Sequence, residues 1–140
     1  MESSPVKINR AKAITGATHY RTEITMGEHT IIGDEPLRSG GNNEGPSSHE
    51  LLVASLASCT SVTLRMYADR KGWKLNRVEV DAEMQRITEG GVQRNNIVMK
   101  IFLDGDLDDE QRKRMYDIAG KCPVHKTLQS SFEISRELVQ

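Results

Sequence analysis

Between Glu50 and Arg65 the chain carries no charged residue: it reads LLVASLASCTSVTL. This run is helix-like, and a helix without a polar face has to be covered on nearly every side. Its limits are marked. Ser47 followed three residues later by Glu50 matches a capping box, Arg65, Arg70 and Lys71 fall near the far end, and Gly72 can stop the helix. The pattern predicts one long helix over about Ser48 to Lys71. In a chain of 140 residues a single sheet face cannot cover such a helix all round, so a second subunit is expected to supply part of the cover.

The rest of the chain supplies short strands and two further helices. Val6 to Ala13 alternates apolar and polar residues as a half-buried strand does. Thr18 to Met26 and His29 to Gly33 flank a turn at Met26-Gly27-Glu28. EPLRSGGNNEGP, Glu35 to Pro46, is a loop of the kind that shapes a pocket beside a reactive helix. Arg77 to Arg86 sets Val78, Val80, Ala82 and Met84 on one face and Glu79, Asp81, Glu83 and Gln85 on the other. After the turn at Glu89-Gly90-Gly91, Asn96 to Leu103 returns with Ile97, Met99, Ile101 and Leu103 on one face. A helix over about Asp108 to Gly120 follows, its acidic start suited to the helix dipole. A short helix from Cys122-Pro123 to Gln129 comes next, and Phe132 to Ser135 reads as a closing strand. The order predicts an α+β fold of one domain, residues 1–140, with antiparallel pairing rather than βαβ alternation.

Composition narrows the function. Nineteen basic residues stand against 20 acidic ones, a net charge of −1, which gives no support to nucleic-acid or membrane-surface binding. The start, MESSPVKINRAKA, lacks the apolar core of a secretory signal, and no stretch approaches the roughly 20 apolar residues of a membrane span. A cytoplasmic location is therefore expected, where disulfides are transient or catalytic. The scattered glycines form no phosphate-binding loop.

The chemistry rests on two cysteines. Cys122 precedes a proline, which is favoured at the first helical position, so Cys122 is placed to cap a helix whose dipole lowers a thiol's pKa. Lys121 and His125 add positive character. A small capping residue without chemistry accounts for the same pattern equally well. Cys59, inside the apolar helix, reads locally as an inert core thiol, because burial suppresses ionisation unless a cation or donor is close. His49 and Glu50 begin the same helix and can line a cleft with Cys59 two to three turns on. Zinc bound by Cys122, His125, Cys59 and His49 is disfavoured, since structural zinc ligands come in two close pairs. No metal or cofactor is expected.

GPSSHELLVASLASCTSVTLRMYADRKGW and IAGKCPVHKTL resemble the OsmC/Ohr family of thiol-dependent peroxidases, and the resemblance extends over nearly the whole chain. The first segment is similar to the family's buried helix with the reactive cysteine, the second to its Cys-Pro motif with the resolving one. The resemblance implies an intertwined homodimer with antiparallel sheets around paired central helices. It implies a Cys59 thiolate that attacks an organic hydroperoxide to become a sulfenic acid, a Cys59–Cys122 disulfide, and a dithiol reductant that restores the pair. It also implies a Glu ten residues before the reactive cysteine, holding an Arg from the N-terminal strands. Here that position is His49, with Glu50 one residue later and rotated by about 100°; Arg21 and Arg38 are the candidate cations. An alternative from another class is an OsmC-like module that binds a small apolar ligand with little or no peroxidase activity. Thiol hydrolysis with His49 or His125 as base ranks last, for want of an acid to orient either imidazole.

Overall fold

Gly90 and Gly91 both have positive φ, 56° and 78°, the backbone demanded by a two-residue hairpin turn. They join the two longest strands of the chain. In the computed structural model, which describes residues 4–7 and 9–139, the five strands and three helices are β1 (Lys12–Thr15), β2 (Thr22–Met26), β3 (His29–Gly33), α1 (Ser48–Lys71), β4 (Lys74–Glu89), β5 (Val92–Asp106), α2 (Asp109–Ala119) and α3 (Pro123–Leu128). The architecture is α+β, with two antiparallel sheets and a central helix. The chain divides into two compact units, 1–52 and 53–140.

In the first unit β1, β2 and β3 form a meander. β1 begins later than the alternation of Val6 to Ala13 predicts, and Ile8 lies outside the described residues. Pairing explains the shift. Lys12 stands opposite Thr25, so residues before it run past the end of β2 at Met26 and have nothing to bond. β2 likewise starts at Thr22 rather than Thr18, because the backbone bends at His19, whose φ is 56°. The segment after β3 wraps around one carboxylate. Asp34, 5% exposed, accepts backbone N–H bonds from Glu35 (2.7 Å), Asn42 (3.3 Å) and Glu44 (3.1 Å). These bonds hold its pKa below the usual carboxylate value, the Glu44 N–H contributing most. Close approach demands glycine here: a Cβ on Gly45 would lie 2.0 Å from the Ile32 carbonyl oxygen.

The second unit is built on the β4–β5 hairpin, which runs beyond both predicted strands and pairs from Lys74↔Asp106 to Glu89↔Val92. Its alternation is as expected: Val78, Val80, Ala82 and Met84 are half-buried while Glu79, Asp81, Glu83 and Gln85 are exposed. The core gathers Leu64, Ala68, Leu75, Leu107, Met115, Ile118 and Ala119, with Val78, Ile101 and Leu103 of the hairpin packed against it. Full burial of Leu64 and Met115 stabilises the unit by about 1.5–3 kcal/mol each. α2 is capped by Asp108, whose side chain accepts from the Gln111 N–H while Gln111 returns the bond. Arg112 donates to the carbonyls of Leu103, Gly105 and Leu107 and so ties α2 to the end of β5.

Two expectations need correction. The described residues from Ser131 onward form no strand, and Phe132 and Ile134 are 61% and 90% exposed; alternation over four residues holds no strand without a partner to pair with. α1 is only partly covered within this chain. It buries a single stripe at four-residue spacing, Leu56, Thr60, Leu64 and Ala68. By length and composition α1 could cross a membrane, contrary to the expectation that no stretch approaches a span, because its serines and threonines lower the hydropathy less than charges would. Leu64 and Ala68 of its stripe are nonetheless seated in the core of the second unit.

Candidate functional site

Cys59 lies midway along α1 and Cys122 immediately before α3. Both belong to the second unit, and neither is in a disulfide. Pro123 takes the first position of α3 and leaves Cys122 as its N-cap, with φ −57° and ψ 133°. The Cys122 sulfur accepts the His125 N–H at 3.5 Å. The side chain is wholly buried, so every group it meets is a protein group.

The fold brings the two thiols into direct interaction and separates their acidities. Burial, first, pushes the Cys59 thiol up, and the neighbouring Cys122 sulfur pushes it further; the Val124 N–H and the Thr63 hydroxyl act the other way without reversing it. Burial alone would raise Cys122 too. There it is outweighed by donors, namely the Cys59 thiol, the His125 N–H, the Thr60 hydroxyl and the Val124 N–H, and the Cys122 pKa is lowered. Of the two, Cys122 is therefore the more acidic thiol. The cap position drew attention to Cys122; its ordering of the two sulfurs could not be read locally, because Thr60 and Cys59 reach it only through the fold.

Thr60 is the participant that residue patterns missed. It is 0% exposed, and its hydroxyl lies 3.5 Å from Met99 Sδ as well as within reach of Cys122. A signal was present: among the four buried positions of α1, it alone is polar.

His49 and Glu50 fall in the first unit. Glu50 completes the capping box, its carboxylate accepting the Ser47 N–H at 3.0 Å while the Ser47 hydroxyl accepts the Glu50 N–H at 3.3 Å. These bonds lower the Glu50 pKa, with a smaller contribution from the Arg38 charge. Arg38, His49 and Glu50 line one open cleft of about 780 Å³. Arg21 is engaged elsewhere, 3.8 Å from Glu23 and 3.9 Å from Glu44. Arg38 is thus the candidate cation that keeps company with Glu50. Among the described residues no group of three or more His, Cys, Asp or Glu side chains is placed to hold a metal ion.

Residues 41–137 match the family model for OsmC-like proteins. No curated protein matches the sequence. The fold is similar to that of an OsmC-like protein from Mycoplasma pneumoniae, with 21% identity, 88% of each chain covered and a TM-score of 0.74. It is similar also to an organic hydroperoxide resistance protein OsmC from Legionella pneumophila (18% identity, 90% of this chain and 92% of that one, TM-score 0.66). A third likeness is to an organic hydroperoxide resistance protein from Elizabethkingia anophelis (17% identity, 91% of each chain, TM-score 0.65). At these identities the solved structures speak to the fold, and the family model, which spans more than half of the chain, decides the membership: the chain belongs to the OsmC-like protein family.

Proposed function

We propose that this protein is a thiol peroxidase for organic hydroperoxides, with Cys59 as the attacking residue and Cys122 as its proton acceptor and resolving partner. The reading is supported by two free cysteines set close enough in the fold for each to shift the acidity of the other. Cys59 passes its proton to the Cys122 sulfur and attacks the outer oxygen of the hydroperoxide. The O–O bond breaks, Cys59 becomes a sulfenic acid, and the departing alkoxide takes the proton from Cys122 to leave as an alcohol. Cys122, again a thiolate, attacks the Cys59 sulfur; the S–S bond forms and hydroxide leaves, protonated to water. A dithiol reductant then returns both thiols by exchange. Two relatives of the fold are named for organic hydroperoxide resistance, which agrees with this chemistry. In this reading the chain works in a reducing compartment such as the cytoplasm.

The same reading takes the protein as a homodimer of single OsmC-like domains. On α1, Val62 in the uncharged run is 46% exposed and Met66, just past Arg65, is 60% exposed. A second copy would cover them. Light scattering on the purified chain tests this: twice the 15.7 kDa monomer mass is expected.

Peroxide consumption by reduced protein tests the function, with cumene hydroperoxide compared with hydrogen peroxide. Fast, selective loss of the organic peroxide is expected, abolished in Cys59→Ser. Cys122→Ser should accumulate a Cys59 sulfenate trapped by dimedone. Slow, unselective oxidation of the wild type would sink the proposal and favour small-molecule binding without turnover.

A further inference from the structure

Three cations of the second unit gather around one phenol. Tyr67, half-buried near the end of α1, makes a T-shaped contact with Trp73 at a centroid distance of 5.4 Å. Arg114 of α2 donates its Nε to the Tyr67 hydroxyl oxygen at 3.0 Å, and its guanidinium carbon lies 5.8 Å from the ring centre. Lys71 Nζ lies 5.7 Å from the same centre. The Arg114 hydrogen bond, and then the charges of Arg114, Lys71 and Lys121, hold the Tyr67 pKa below the usual phenol value against the effect of burial. Lys121 is thus the third cation of the group.

Little in the fold answers this charge. The three cations are exposed, and among the described residues none is in an ion pair. Asp117 acts on Arg114 from outside ion-pair distance, and Asp69, two residues before Lys71, is taken by Arg65. The donors are unspent as well. Among the described residues the Arg114 Nη groups, both ammonium groups and the Tyr67 hydroxyl proton have no hydrogen-bond acceptor. Like charges held together repel, and an anion laid across them relieves the repulsion. Tyr, Trp and Arg are also the residues that anchor the centres of protein interfaces. Nucleic acid is followed by longer basic stripes, whereas three cations on a chain of net charge −1 fit an acidic protein surface.

The patch is set beside the sulfur pair. Lys121 directly precedes Cys122. Tyr67 follows Cys59 on α1 by about 12 Å of axial rise.

We propose that this patch docks an acidic, dithiol-bearing protein that reduces the Cys59–Cys122 disulfide. The inference deepens the peroxidase reading and rests on it for the disulfide. Burial fixes the order of events. Cys122 is wholly buried and Cys59 is not, so a thiolate of the docked partner attacks the Cys59 sulfur. The S–S bond breaks and Cys122 leaves as thiolate, the more acidic thiol being the better leaving group. The partner's second thiol then attacks the mixed disulfide, closes the partner's own disulfide and releases Cys59. Two electrons and two protons pass to this chain.

The test forms the disulfide with diamide, so it needs no peroxide turnover. The probes are a synthetic peptide with four acidic residues, a Gly-Ser spacer and a Cys-Gly-Pro-Cys dithiol, its counterpart with Asn and Gln in place of the acids, and dithiothreitol. At low salt the acidic peptide should reduce the protein about tenfold faster than the neutral one, and high salt should erase the difference. Lys71→Gln with Lys121→Gln should erase it too, while Lys7→Gln with Lys12→Gln, which removes the same charge from the first unit, should not. Dithiothreitol should act alike on all of them. Trp73, the sole tryptophan, reports docking directly: the acidic peptide with Ser for Cys should shift its fluorescence in reduced protein, and Arg114→Gln should weaken the shift. Equal rates for the two peptides at low salt, an equal loss in the Lys7 and Lys12 variant, or an oligothymidylate that moves Trp73 more than the acidic peptide does overturns the proposal. The two readings fail separately. A protein whose reduction depends on the patch but which consumes no peroxide keeps the docking and loses the peroxidase function. A peroxidase on which the two peptides act alike does the reverse, and a protein in which diamide forms no Cys59–Cys122 disulfide overturns both.

Discussion

Oxidation of Cys59 and Cys122 to a disulfide is a perturbation whose size can be worked out beforehand. The bond would close a loop of about 64 residues, Cys59 to Cys122. By the loop-closure relation such a cross-link removes about 14 cal/mol/K from the unfolded chain, or roughly 4 kcal/mol at 25 °C. Strain in the native state subtracts from this, so the figure is an upper bound. With a urea slope of about 2 kcal/mol/M, the unfolding midpoint should rise by up to about 2 M. The assay is urea unfolding followed by circular dichroism, on protein held reduced and on protein treated with one equivalent of cumene hydroperoxide. Intact mass should fall by about 2 Da, the two hydrogens lost to the bond, and Cys122→Ser should show neither change. By the thermodynamic cycle, folding makes the same disulfide harder to reduce by the same free energy, about 90 mV, so a dithiol should restore the pair where a monothiol stalls. Oxidised protein of the right mass that unfolds at the same or a lower midpoint would refute the reasoning, since the native site would then be strained against the bond it is supposed to form.

Three further outcomes follow from the geometry. In Cys122→Ser the sulfur that helps to raise Cys59 is gone, so the Cys59 pKa should fall; iodoacetamide labelling of Cys59 below its wild-type midpoint should be faster than in wild type, and an unchanged pH profile would contradict the pairing. Asp34 has a folded pKa depressed below its unfolded value near 3.8, so its contribution to stability is present above that pH and is lost as pH falls through the folded value. Asp34→Asn should lower stability at neutral pH and flatten this acid limb, as read from unfolding midpoints between pH 2 and 6. Gly45→Ala drives a methyl to within 2.0 Å of the Ile32 carbonyl, backbone that cannot yield cheaply, and should cost about 1–3 kcal/mol in thermal unfolding, whereas Gly16→Ala, with nothing within 4 Å, should cost far less.

What was legible in the sequence is what local chemistry decides. α1 begins at Ser48 because Ser47 and Glu50 satisfy each other's backbone donors, and it stops at Lys71 because Gly72 accepts φ 70°. The β4–β5 faces follow from alternation alone. The extra length of that hairpin was not legible, since nothing at Arg86 or Asn96 marks an end and pairing simply continues to the glycine turn. Asp34 was not legible either: EPLRSGGNNEGP reads as a loop, but which carboxylate gathers its N–H groups depends on how the loop closes. The site divides in the same way. Cys122 announced itself through Pro123, and Cys59 through its resemblance to a family, whereas their relative acidity depends on side chains that sequence spacing does not connect.

Thr60 is where that dependence can be tested most directly. Its hydroxyl has one proton and two sulfur acceptors, Met99 Sδ at 3.5 Å and Cys122. The proton is worth more on the charged sulfur, because hydrogen bonds to ionised groups are roughly twice as strong as neutral ones. While Cys122 is a thiolate the hydroxyl should therefore turn to it, and once Cys122 is in a disulfide it should turn to Met99. Thr60→Val keeps the shape and removes the proton. Because Thr60 is wholly buried, no water replaces the lost donor, and Cys122 should titrate at higher pH than in wild type. A merely structural role would change only stability, by about 0.5–1.5 kcal/mol for a hydrogen bond of ordinary strength. A positioning role also slows the step in which Cys122 resolves the Cys59 sulfenate at neutral pH, and raising the pH should recover that rate in Thr60→Val. Thr60→Ser, which restores the hydroxyl, should return the wild-type pH profile. If Thr60→Val resolves the sulfenate with an unshifted pH profile, the charge on Cys122 is held by the backbone N–H groups of α3 alone, and the polar residue in the apolar stripe of α1 is there for packing.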